Sequence, residues 1–151
     1  MTFASLQSAA LRTQCQARDL SYRLGVLLAL ARDGQVDTLV NASSEVTTSI
    51  GELAFAQEEL VSSLEAHAAA IGHSGLLRLS QVDALLAPIG DDLRNTLEEI
   101  GQTAGAIKAV CGERITWAQN ALAHLGSPEQ PAYGSSGRLD QSRQRLMDAI
   151  A

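Results

Sequence analysis

Between Asp91 and Gly126 the apolar residues Leu93, Leu97, Ile100, Ala104, Ile107, Cys111, Ile115, Ala118, Leu122 and Leu125 recur at steps of three and four. That spacing follows the 3.6-residue helical period and keeps one apolar stripe on one face throughout. The extra step from Cys111 to Ile115 reads as a stutter that relaxes any left-handed supercoil locally. Asp91 or Asp92 is expected to cap the start, and His124 and Gly126 to close the end. Gly101, Gly105 and Gly112 lie inside it at spacings that suit close helix contact or bending. A rod of this length, rising about 1.5 Å per residue, reaches roughly 50 Å. Other helices must lie against it, and the chain is expected to be organised around it.

The upstream sequence supplies them. Ser5 opens a helix that runs to Asp33, with Leu6, Ala10, Thr13, Ala17, Leu20, Leu24, Leu27 and Ala31 alternating by four and three. Asp19 and Arg23 form an i,i+4 pair expected on its wet side. The linker Gly34 to Val36 is too short for anything but a reversal, so a second helix, capped by Asp37 and reaching about Ile71, should run back antiparallel. Its stripe is Leu39, Val46, Ile50, Leu53, Leu60, Leu64 and Ile71, diluted by Ser43, Gln57 and His67. The β-branched, Ser-rich start of this helix has modest helix propensity and should depend on packing. After the break at 72–75, Ser80 and Asp83 read as a capping box for a short helix ending near Pro88 and Gly90. It is expected to lie across one end of the bundle and bury Leu76, Leu77, Leu79, Val82, Leu85 and Leu86.

Beyond Gly126 the pattern changes. Pro128, Pro131, Gly134 and Gly137 punctuate 127–137 too densely for helix or strand. Residues 138–151 return to a helical pattern with Leu139, Leu146, Met147 and Ile150 on one side. The expected architecture is therefore all-α: an elongated antiparallel bundle of three long helices with a short connector over 1–126, a Pro/Gly hinge over 127–137, and an amphipathic segment over 138–151. So short a helix is marginal alone in water. It suits helix-in-groove recognition or coupled folding and binding, which marks it as a partner-binding element.

Composition narrows the function. A net charge of −6, with 10 Arg and only Lys108 as lysine, provides no basic stripe for nucleic acid and disfavours anionic membranes. Aromatics are 3% of the chain, which leaves few anchors for a small-molecule pocket. No apolar run reaches the 18 residues of a membrane span, and the N-terminal stretch has no export-signal pattern. Cys15 and Cys111 lack CxxC spacing and read as reduced thiols, so a cytoplasmic location is expected. His67, His73 and His124 form no HExxH or Cys-His couple, and the carboxylate pairs Glu58–Glu59, Asp91–Asp92 and Glu98–Glu99 diverge by about 100° on a helix. No enzyme, cofactor or metal site is expected. A histidine phosphotransfer domain built on His67 is the weaker alternative, because Ala70 and Ile71 stand where that family's pattern has Lys and Gly.

Three stretches carry a family resemblance. LALARDGQVDTLVNASSEV, the segment WAQNALAHLG with Asn120, and above all AYGSSGRLDQSRQRLMDAIA resemble the FlgN-type flagellar export chaperones. The last is similar to that family's tyrosine–glycine–x–x–glycine element and helical end. The resemblance implies a cytosolic chaperone that binds hook–filament junction subunits and delivers them to the flagellar type III export gate and ATPase components. On that reading Leu139, Leu146, Met147 and Ile150 grip an apolar helix of the cargo, and Tyr133 docks on the export machinery. A monomer or weak homodimer is implied. The competing class is a generic coiled-coil dimerisation or structural module, with its stripes used for self-association.

Overall fold

The fold is that of a computed structural model, which describes residues 3–125. Every element among them is helical: α1 (Phe3–Asp33), α2 (Val36–Ala70), a four-residue α3 (Leu79–Val82), a 3-10 turn (Ala84–Leu86) and α4 (Ala87–Leu125). The expected hinge and C-terminal segment lie outside the described residues.

The element on which the others converge is α1, not the last long helix. All eight stripe residues of α1 are buried, and Ala9 with them. Ala10 and Ala17 have no exposed surface, so small side chains let neighbouring helices approach closely. Both α2 and α4 pack extensively on α1, and no comparable contact joins α2 to α4. The seam with α2 runs in opposite directions. Arg12 pairs with Glu59 at 2.6 Å, the buried Thr13 hydroxyl lies 3.1 Å from the Ala56 carbonyl, and Arg23 pairs with Glu45 at 3.0 Å. The seam with α4 runs in the same direction as α1. Gln14 and Arg18 both donate to Asp92 Oδ2, at 2.6 and 3.0 Å, while Arg114 donates to the Arg32 carbonyl at the far end.

Asp19 and Arg23 do pair, at 2.8 Å, but on the seam rather than the wet side. The Ser49 hydroxyl donates to the same Asp19 oxygen at 2.8 Å, tying α1 to α2. The reversal between α1 and α2 is made by Gly34 at φ +73°, in the left-handed region that an L side chain adopts at a cost.

Several boundaries differ from expectation. Asp37 sits within the first turn of α2, and Gln35 occupies the cap position without a side-chain cap bond. The capping box at Ser80 and Asp83 does not form. Instead Gln81 accepts from the Arg78 amide at 2.8 Å, and Asp83 accepts from the Leu85 amide at 2.7 Å. The short helix does not reach Pro88. That proline stands in the first turn of α4, where an amide has no intrahelical partner to lose. The last helix thus begins at Ala87, and Asp91 and Asp92 are interior to it. Of the connector leucines, Leu77 and Leu86 are buried, whereas Leu76 and Leu85 are exposed, as is Ile71 past the end of α2. A segment this short has one inward side only.

The helical glycines of α4 do not mark close contact. A Cβ placed at Gly101, Gly105 or Gly112 would meet nothing within 4 Å. Each should therefore carry only the entropic cost of glycine in a helix. Replacing any one by alanine is expected to stabilise the chain by about 0.5–1 kcal/mol, read as a higher urea midpoint at unchanged slope.

Acid should weaken the α1 seams. The Asp19 carboxyl is held below its ordinary 3.8 chiefly by hydrogen bonding from Arg23, then Ser49, and that of Asp92 by Arg18, then Gln14. Both folded-state values lie below the unfolded ones, so the stabilisation is complete above about pH 4 and lost as pH falls through the depressed values. Asp92→Asn is expected to be less stable than the parent at pH 6. The gap should narrow as pH falls through the depressed Asp92 value, in matched urea titrations.

Candidate functional site

The stripe of α4 meets two fates. Leu93 and Ile107 are buried, and Ile100, Ala104 and Cys111 are half-buried on the core. Level with Arg114, α1 turns at Gly34 into α2, and the support ends. From Ile115 to Leu125 the helix runs on for about 16 Å. Over that length Ile115 is half-buried, while Leu122 is 63% and Leu125 84% exposed, although the periodicity placed them on the same stripe. Trp117, the only tryptophan, is 73% exposed on the same stretch but off the stripe. Helical period shows which residues share a face; it does not show how far the neighbouring helices extend.

Just below this free end lies an apolar cleft of about 200 Å³. Leu27 and Ala31 of α1 line it together with Leu39, Val40 and Ser43 of α2 and Ile107 and Cys111 of α4. It exists because α2 and α4 each pack on α1 but hardly on each other. Among the described residues no charged side chain lines it. Burial pushes the Cys111 thiol up, offset in part by Arg114, so the thiolate is disfavoured there. Such a cleft can accept aliphatic side chains. Its lining among the described residues includes no acid, base or activated nucleophile. A second, polar cleft between Asp19, Tyr22, Arg23, Val26, Ala42 and Glu45 is occupied by the paired charges of the α1–α2 seam.

The residues weighed for chemistry stay apart. His67 is half-buried near the end of α2, His73 Nδ1 lies 3.4 Å from the Gly75 carbonyl, and His124 is exposed at the end of α4. Among the described residues no three His, Cys, Asp or Glu side chains gather where a metal ion would be held. No described helix is long and apolar enough to cross a membrane. Cys15 and Cys111 are free. Leu139, Leu146, Met147, Ile150 and Tyr133 lie outside the described residues.

The cleft itself was not foreseen from the sequence. Ser43, interrupting an otherwise aliphatic stripe at the α4-facing edge of α2, was the one available sign of a poorly filled layer. No protein-family model, no curated protein and no solved structure matches this chain.

Proposed function

We propose, with no family assignment to proceed from, that the chain is a non-enzymatic protein-binding module: a cytoplasmic export chaperone of the FlgN type. It would bind hook–filament junction subunits and carry them to the export gate and ATPase components. An elongated antiparallel bundle is its rigid body, 127–137 its hinge and 138–151 its grip. One observation carries the reading. The stripe of α4 continues past its supporting helices, so Leu122 and Leu125, with Trp117 exposed on another side of the same stretch, lead into the sequence that bears Leu139, Leu146, Met147 and Ile150. Exposed aromatic and aliphatic side chains in one run are what a helical partner's apolar face would bury. Tyr133 is assigned to docking on the export machinery by its likeness to the family's tail tyrosine.

The test is titration with a junction subunit, monitored by sedimentation. A complex of fixed composition, formed by a chain that is otherwise monomeric, is expected. The same exposed stripe would also serve self-association. A chain that dimerises with rising concentration and ignores the junction subunit is a dimerisation module instead.

A further inference from the structure

We propose that the cleft between α1, α2 and α4 is the resting seat of this chain's own residues 138–151, which dock there through Leu146, Met147 and their apolar neighbours when no partner is bound. The cleft has room for roughly one or two large aliphatic side chains at interior packing density. Its lining is apolar, and Val40 on its α2 wall is 64% exposed among the described residues. Filling it would complete the layer that α2 and α4 leave open above Leu27 and Ala31.

Chain geometry selects the occupant. From Leu125 back to Cys111 is 14 residues of helix, about 21 Å. Residues 126–137 supply 12 residues, which span up to about 40 Å when extended. The segment that follows can therefore return to the level of the cleft and run down it against the direction of α4. Leu139, Leu146 and Ile150, at steps of seven and four with Met147 adjoining, would give it an apolar side along that path. A tether of this length presents the segment at an effective concentration of order millimolar, which a free partner in a cell does not match. A second copy is disfavoured on size. A stable dimer engages about 20–30 residues a side, and the cleft is lined by seven.

The docking stands on the cleft and the tether alone. Its regulatory consequence rests on the chaperone reading: cargo would have to displace the segment from its own body, so the empty protein keeps its apolar grip covered and releases it only to a competent partner. The apparent cargo affinity falls by the docked fraction.

Cys111 lines the cleft and reports the state directly. In the full chain carrying Cys15→Ser, iodoacetamide alkylation of Cys111 is to be compared with the same chain carrying Leu146→Asp and Met147→Asp. The aspartates are expected to speed alkylation roughly tenfold, which corresponds to a docked population of about nine-tenths in the parent. Val40→Asp, at an exposed wall position, should speed it in the same direction, and circular dichroism should show that no variant loses more helicity than the 14 released residues can account for. Equal rates in parent and variants would overturn the proposal. So would protection of the parent that grows with protein concentration, because the occupant would then be a second copy. Neither result depends on cargo. If docking holds but Val40→Asp fails to tighten binding of a junction-subunit peptide, the chaperone reading fails and the docking survives.

Discussion

Ile107→Ala is expected to destabilise the protein by about 2–5 kcal/mol, whereas Leu122→Ala, on the same stripe of the same helix, should cost less than about 0.5 kcal/mol. Ile107 is 1% exposed and packs within the core cluster formed largely by α1, so truncation removes buried methylenes and leaves space that rigid neighbours cannot close. Leu122 is 63% exposed and lies past the Gly34 turn, so its removal strips little surface that folding had covered. Domains of this kind are stable by only about 5–15 kcal/mol, so the first variant loses a large share of the total. Urea titrations of the two variants and the parent decide the matter. Equal losses would mean that the end of α4 is buried in solution and that the free stripe does not exist.

Deleting residues 128–151 should abolish capture of a junction subunit while leaving the helical circular dichroism of the body nearly unchanged. Among the described residues the core cluster draws on none beyond Cys111, and the contacts that set the direction of each long helix end at Arg114. Nothing in that set requires the deleted stretch, whereas the proposed grip lies within it. Binding by the shortened chain at undiminished affinity would remove the tail from the function and leave Trp117, Leu122 and Leu125 as the binding surface. Loss of helicity together with binding would show instead that the body depends on its own tail. That outcome would fit a segment seated in the cleft far more tightly than the tether argument requires.

Much of the local structure was legible in advance because it is one-dimensional. The stripe of α1 was named residue for residue, since alternation by four and three has a single helical solution. The all-α class followed from the same periodicity, and so did the reversal at Gly34, where the chain has no room for another shape. The Asp19–Arg23 pair was also readable, because i,i+4 neighbours meet whatever else the helix touches.

What failed in each case turned on contact with a second helix. Asp92 looked like a capping residue, yet it is the acceptor that bridges Gln14 and Arg18 of α1. The glycines of α4 suited close contact or bending, and the contact is absent, since each faces open space. The last helix has the longest stripe and appeared to be the organising rod, but α1 is the one packed on by both α2 and α4.

The sequence by itself determined which residues share a helical face and where the chain must reverse, because period and turn chemistry act between neighbours along the backbone. Only the tertiary structure decided which face is covered, by what, and for how far. Coverage is set by the lengths and offsets of helices packed side by side, and no local pattern encodes where a neighbour stops. The bare end of α4 arises from that mismatch in length, and the cleft from α2 and α4 packing on α1 but hardly on each other.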